Sequence, residues 1–485
     1  ILTQNRKNPE MTVPISKSLS NALEDTIVFF EDLLTLEDDE ILWNYRTSDG
    51  IPLWLEIRWA IFWNLQRHKY RLSNPHQGEI LTLLDYMKFI INAFIKNPFR
   101  SGKDKVLIFS LSANYVREDN KFIDRLYDPY ILGNDKFQII TSNSKIKILD
   151  PILNKCSISS DLFRIFIFLL SRIIGVRKKD KKTIEAFVKY LIEKRIVKVG
   201  DRDNVIKYVT KNKKKNRVKR IIYKEYYKKK QPKAIIIQCA HYGDYCVEIM
   251  IAKRYRIPVI EMQHGFIGKG HLAYNYNYKS YDIIRDYLPD YIFTFGNYWN
   301  NNIRSPAKKI AIGYSYLEKY SQNNNHNQSK IILLVSGGTM PLSYIKIAKE
   351  LKDILGGIYK LEFRPHPSEI PKAADRYHEI ADMGYRIDKE NLYQTLNKAS
   401  IVISLELSTV LFEALMFTNN VYLIKNQAVE QILLDELYPF KIVESVYEIY
   451  EKEGTIQNNK TYDELWRKNA KENFISAIAK IAELR

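Results

Sequence analysis

The feature that most constrains this chain is a series of short apolar runs that alternate with helical patterns and end in polar motifs. Val106-Leu107-Ile108-Phe109, Phe137 to Thr141, Ala234 to Ile237, Ile257 to Met262 and Asp290 to Phe295 form one group. Lys330 to Val335, Leu361 to Phe363, Ile401 to Ile403 and Val421 to Ile424 form a second. Runs this short and this apolar read as strands buried on both faces, and the intervening helical patterns predict parallel sheets covered by helices. The polar stretch Ser321 to Ser329 separates the groups and reads as a linker. The fold class is therefore α/β, with two doubly wound Rossmann-like domains facing a central cleft.

At 485 residues the chain is too long for one ordinary core. The expected division is a mainly helical extension over 1–100 and a first Rossmann-like domain over 101–315, carrying a basic insertion at about 160–230. A second Rossmann-like domain follows over 316–460, then a carboxy-terminal helix over 461–485. Trp54 to Arg67 has helical spacing, as do Pro341 to Leu355, Val410 to Phe417 and Tyr462 to Arg485. Three cysteines, Cys156, Cys239 and Cys246, make no disulfide framework and no zinc motif, which fits a reducing compartment. No secretory signal is read at the amino-terminus.

The formal net charge is +19, which favours anionic partners. The charge concentrates between Arg177 and Lys230. Such a run reads either as a solvated, mobile insertion or as a patch that holds the protein against an anionic membrane surface. Leu162 to Val176 is shorter than the roughly 20 apolar residues that span a bilayer. It is either a buried helix or a helix lying on a membrane surface. Nucleic-acid binding through the Lys/Tyr-rich stretch Arg217 to Lys230 is a remote alternative, because it would leave the strand-end motifs idle.

In open α/β sheets, ligands bind beyond the carboxyl ends of the strands, and the polar motifs of this chain fall there. Gln263-His264-Gly265 follows the Ile257–Met262 strand, with His271 just beyond. An imidazole titrates near neutrality, so His264 is a candidate general base, unless it is a structural histidine. Asp244 and Glu118 are lesser candidates. Arg364-Pro365-His366-Pro367 ends another strand; its prolines stiffen the loop, and a guanidinium with an imidazole suits a diphosphate, unless the loop is merely a stiff turn. Ser408-Thr409, with Glu413 in the next helix, reads as an anion site at a helix start or as a simple capping box. Ser336-Gly337-Gly338-Thr339 lets a phosphate approach the main chain, though Gly-Gly turns are common.

The strings Ile257 to Gly265, Arg364 to Pro367 and Ser408 to Leu415 resemble GT-B glycosyltransferases of bacterial capsule and surface-polysaccharide synthesis. The His-Pro and Ser-Thr motifs are similar to those of polysialyltransferases and CDP-glycerol glycerophosphotransferases. The resemblance covers about residues 230 to 425. It implies a GT-B fold, a nucleotide-sugar donor, and an oligosaccharide or lipid-linked acceptor. It also implies donor phosphates held by the His-Pro and Ser-Thr positions. Ser336, Gly337, Gly338, Arg364, His366, Pro367, Ser408, Thr409 and Glu413 are then donor-side. His264 is the base, and Gln263, Gly265 and His271 are acceptor-side. Gln263 stands where the glycerophosphotransferase motif has Trp, and the Thr-Pro that follows there is missing, which speaks against a glycerol-phosphate donor. No cofactor, no metal and no nucleic acid are expected; Asp201-Arg202-Asp203 has the form of a metal motif but sits in the basic insertion. The implied enzyme is cytoplasmic, peripheral on the inner face of the plasma membrane. A CDP-alditol phosphotransferase and a sugar-nucleotide epimerase of the same architecture are the alternatives.

Overall fold

A computed structural model describes residues 30–73, 82–142, 152–154, 158–321, 329–433, 438–451 and 462–483. Cys156 and most of the Ser321–Ser329 linker lie outside the described residues.

Two parallel sheets form, as the apolar runs predict. The first has seven strands: β1 (Val106–Leu111), β4 (Phe137–Ser142), β5 (Ile158–Ser159), β6 (Ala234–Ile237), β7 (Val259–Met262), β8 (Tyr291–Thr294) and β9 (Lys308–Ala311). Their order is β5-β4-β1-β6-β7-β8-β9. A hairpin of β2 (Tyr115–Glu118) and β3 (Lys121–Asp124) lies outside that sheet. The second sheet has six strands: β10 (Ile331–Val335), β11 (Lys360–Arg364), β12 (Arg386–Ile387), β13 (Ile401–Ser404), β14 (Val421–Ile424) and β15 (Lys441–Val443). Their order is β12-β11-β10-β13-β14-β15.

The strand order reverses between β1 and β6 in one sheet and between β10 and β13 in the other. At such a point the loops diverge and leave a crevice for a ligand. The central strands explain why the sheets form: β6, β7, β13 and β14 are buried at every position. Each buried aliphatic side chain stabilises by about 1.5–3 kcal/mol relative to exposure.

The first hundred residues are no appendage. The Leu53–Lys69 helix buries twelve residues, and Leu33, Trp43 and Trp54 share a core with Ile235, Ile237 and Val259. Arg58 ties it down: its Nε lies 2.7 Å from Glu37 Oε1, and its Nη2 donates to the Asn275 carbonyl at 2.9 Å. That anchors the segment downstream of His264.

The basic insertion is helical: Asp161–Ile173, Lys178–Glu193 and the 29-residue Arg202–Lys230. Part of its charge is structural. Lys213 is buried between Asp49, at 3.0 Å, and Glu56. Lys219 Nζ pairs with Glu248 at 2.8 Å. A solvated, mobile run is not what forms; Arg177, Lys178 and Lys179 remain exposed. Among the described residues no helix is long and apolar enough to cross a membrane.

The carboxy-terminal helix expected from Tyr462 onward is broken. Tyr462–Leu465 and Ala470–Glu483 are separate, and Asn469 takes a left-handed φ of 58° between them. The break seats Trp466 against Phe295, at 5.4 Å, and lets the last helix return to the first domain. There Phe474 packs on Tyr130 at 4.8 Å and on Phe137 at 5.7 Å.

Candidate functional site

The loops at the carboxyl ends of β6 and β7 build one wall of the site. Cys239 begins the turn after β6 in a left-handed conformation, φ 58°. Its Sγ lies 3.4 Å from His264 Nε2. Burial lifts the Cys239 thiol well above its ordinary range, so it stands as a thiol. Burial also lowers the pKa of His264; the Glu261 carboxylate opposes that shift and the Arg125 guanidinium adds to it. His264 is therefore neutral at neutral pH, the form a general base needs.

Gln263 is a strut. Its Nε2 donates to the Gly265 carbonyl at 3.0 Å, and its Oε1 accepts from the Phe295 amide at 2.9 Å. It is buried and fixes the loop. Gly265 has no atom within 4 Å of where a Cβ would stand, so the space beside it is open. His271 stacks on Trp59, ring centroids 4.8 Å apart and nearly parallel, while its Nε2 lies 3.2 Å from the Tyr242 hydroxyl. Burial pushes its pKa down to about 3, so it stays neutral and holds the wall together.

Beneath this wall lies a chain that sequence reasoning missed. Glu261 pairs with His241 Nδ1, and His241 Nε2 lies 2.8 Å from Ser305 Oγ. The Tyr274 hydroxyl donates to Glu261 at 2.7 Å. The group has the composition of a hydrolytic triad, but all of its members are buried. It supports the His264 loop from below. The signal available in the sequence was a carboxylate, Glu261, inside an otherwise apolar strand.

Of the two further candidates, Glu118 is committed elsewhere. Glu118 Oε1 accepts from Tyr316 and Tyr320, each at 2.7 Å, and its Oε2 pairs with Lys319 at 2.9 Å. Burial works against its charge, but these donors hold its pKa below the usual range, so it is a poor base. It latches the hairpin to the Ser315–Ser321 helix. Asp244 keeps an exposed edge in the loop after β6; burial among its neighbours raises its pKa, and Lys219 and Lys215 oppose the rise.

The second domain supplies the facing wall. Ser408 and Thr409 open the Thr409–Ala414 helix, and Ser408 makes no side-chain cap bond. Both hydroxyls are without a partner among the described residues, which the capping-box alternative does not predict. Glu413 is buried, and its Oε2 accepts from the Tyr393 hydroxyl at 2.6 Å. Arg125, on the loop after β3, faces it. Its side chain makes no hydrogen bond or ion pair with any described residue. Burial works against its charge, and Tyr314 and Glu413 more than offset that, so it remains a cation. Arg125 thus acts on both His264 and Glu413 across the cleft. Sequence reasoning missed it, because an isolated arginine between Asp124 and Leu126 carries no pattern.

The Gly-Gly loop is already occupied. The Gly337 amide donates to Glu406 Oε2 at 2.8 Å, and the Thr339 amide to Glu406 Oε1 at 3.2 Å. A carboxylate sits where a phosphate was expected. Ser336 Oγ donates to Glu369 at 2.8 Å and is buried. Arg364 is clamped by the buried Asp388. His366 is half-buried above an exposed Pro367. The Ser368 amide donates to His366 Nδ1 at 3.2 Å, which places the proton of the neutral ring on Nε2. Among the described residues no cluster of three His, Cys, Asp or Glu could hold a metal ion.

The two walls touch at Phe266 and Phe412, which stack at 5.7 Å. Electrostatics join His264, Arg125 and Glu413; Gly265 follows His264, and Ser408 and Thr409 open the helix that holds Glu413. Glu118, Ser336 and Arg364 are engaged in the frame.

No protein-family model and no curated protein matches the chain. Among solved structures it is similar to UDP-GlcNAc 2-epimerase from Methanocaldococcus jannaschii, with TM-score 0.42, 13% identity, and 78% of this chain and 99% of that one covered. It is similar to Acinetobacter baumannii MurG, with TM-score 0.37, 11% identity, and 77% and 99% covered. It is also similar to a UGT transferase from Siraitia grosvenorii, with TM-score 0.35, 10% identity, and 78% and 94% covered. The assignment of two Rossmann-like domains rests on the chain's own two parallel sheets.

Proposed function

We propose that this protein is a GT-B glycosyltransferase that moves a sugar from a nucleotide-sugar donor to a growing bacterial surface polysaccharide or lipid-linked glycan. One observation carries the reading. A neutral imidazole, His264, feels the Arg125 cation, Arg125 also acts on Glu413, and the helix that holds Glu413 opens on the hydroxyls of Ser408 and Thr409, which have no partner among the described residues.

The chemistry follows from those groups. An acceptor hydroxyl gives its proton to His264 as its oxygen attacks the anomeric carbon. The bond from that carbon to the nucleotide diphosphate breaks, and the electron pair leaves with the phosphate. Arg125, the Ser408 and Thr409 hydroxyls and His366 Nε2–H meet the charge that develops there. Glu413, fixed by Tyr393, orients the donor. The open space at Gly265 admits the acceptor. The enzyme works in the cytoplasm, peripheral on the inner face of the plasma membrane, where a lipid-linked acceptor would be presented.

The test is a thermal-shift screen against CMP, CDP, UDP, GDP and their sugar conjugates, followed by a transfer assay with the stabilising donor. A ligand at about 100 times its dissociation constant adds about 2.7 kcal/mol, which is readily seen. Donor consumed only when a glycan acceptor is present supports transfer. A nucleotide sugar converted to its epimer without any acceptor would replace transfer by epimerisation. No shift with any nucleotide would remove the site.

A further inference from the structure

The Leu83–Ile95 helix is built inside out. At 3.6 residues per turn, Leu83, Met87, Ile91, Phe94 and Ile95 fall within an arc of about 120°. All face solvent, at 71%, 52%, 54%, 55% and 55% exposure. The opposite face packs on the protein, yet Ala93 is its one fully buried residue. A soluble helix does the reverse and turns its apolar stripe to the core. The Asp161–Ile173 helix packs beside it and adds Leu169, Leu170 and Ile173, exposed at 49%, 41% and 82%. Together they make a contiguous apolar surface on the first domain, of the kind that marks a binding face.

The charges at its border say what covers it. Lys88, Arg172, Arg177, Lys178 and Lys179 are exposed on or beside the two helices. Each helix carries one acidic residue, and neither is available. Asp85 closes a capping box with Thr82, and the buried Asp161 pairs with Arg164 at 3.0 Å. A second copy docked on this face about a two-fold axis would set cationic border against cationic border, with no available carboxylate on either described helix to answer it. An anionic bilayer complements both parts: headgroups meet the cations and acyl chains take the apolar stripe.

We propose that the Leu83–Ile95 and Asp161–Ile173 helices form a membrane-docking face that lies on an anionic bilayer and inserts its apolar side chains. The inference rests on the peripheral-membrane reading and adds to it a second, hydrophobic component located in the first domain. It assigns a role to a segment in which the sequence showed no chemistry, and it explains why the Asp161–Ile173 helix stays half-exposed.

Co-sedimentation of the full chain with phosphatidylcholine vesicles, and with vesicles that also contain phosphatidylglycerol, at low and high salt, tests it. Wild type is expected to bind the anionic vesicles and to keep part of that binding at high salt. The double variant Ile91→Ser/Phe94→Ser removes only exposed side chains, so it should fold. It is expected to bind at least about tenfold more weakly at both salt concentrations. Leu342→Ser, at a still more exposed leucine in the second domain, should change nothing. If the triple variant Arg177→Ala/Lys178→Ala/Lys179→Ala loses binding while the serine variant keeps it, docking is purely electrostatic. The insertion proposal then falls and the peripheral reading survives. If wild type binds no vesicle, both fall. A concentration-dependent dimer that Ile91→Ser/Phe94→Ser abolishes, with no vesicle binding, would give the face to a second copy instead.

Discussion

Phe266 stacks on Phe412, ring centroids 5.7 Å apart and 25° from parallel. One ring stands two residues after His264, the other one residue before Glu413. The loop that carries His264 and the helix that Ser408 and Thr409 open are therefore pinned to each other. Neither ring belongs to the polar motifs, and the contact joins residues 146 positions apart only because both follow strands that end at the cleft.

Replacing His264 with Ala should lower kcat by about 10²- to 10⁴-fold with nucleotide affinity unchanged, read by steady-state kinetics and donor titration. The pH profile carries a second signature. Burial depresses the His264 pKa, so the base stays deprotonated below the pH at which an ordinary imidazole takes up its proton. The acid limb of kcat/KM should then lie below about pH 6.5. A limb at or above that value would assign the base elsewhere.

Arg125 is the least obvious member of the site and the sharpest test of it. A hydrogen-bonded charge on a phosphate contributes about 1.5–3 kcal/mol, so Arg125→Ala should weaken nucleotide binding by roughly 10- to 150-fold. Because the side chain makes no hydrogen bond or ion pair with the described residues, thermal stability without ligand should fall less than nucleotide affinity does. A large loss of stability with intact nucleotide binding would make Arg125 a structural residue.

Gly313 tests the return of the carboxy-terminal segment. Its φ is 97°, and a Cβ there would stand 2.1 Å from the Arg467 carbonyl oxygen. Backbone strain and overpacking together should cost about 2–4 kcal/mol in Gly313→Ala, measured by chemical denaturation. Gly265→Ala meets open space and should cost far less stability.

Asp124 gives the fold a pH dependence of its own. Burial raises its pKa to about 7, although Ser110 Oγ and the Leu126 and Tyr127 amides donate to it. A carboxyl whose folded pKa is raised favours folding below its unfolded pKa, and that contribution fades as pH rises through about 7. The melting temperature should fall between about pH 4 and pH 7, and Asp124→Asn should flatten that slope. An unchanged slope in Asp124→Asn would move the effect to another group.

The division between legible and hidden follows how far each feature reaches along the chain. Strands such as Ile331–Val335 and the helix Pro341–Leu355 are local, so they stand where the apolar runs and periodicity put them. The placement of His264, Ser408 and Thr409 just beyond strands was legible because it follows from local apolar runs. The Gly-Gly loop misled because its amides are satisfied by Glu406, 67 residues from Thr339. Lys213 and Lys178 look alike in one basic run, yet one is buried between two carboxylates and the other is exposed.

The sequence by itself determined two parallel α/β domains and the loops that face the cleft, because hydrophobic periodicity and strand-end position are properties of neighbouring residues. Tertiary structure alone decided which charges are free. It left Arg125 without an ion pair among the described residues and clamped Arg364 on Asp388. It committed Glu118 to the tyrosines of the Ser315–Ser321 helix and turned the apolar face of Leu83–Ile95 outward. A side chain's charge and exposure depend on partners brought from distant positions, and only the folded chain specifies those.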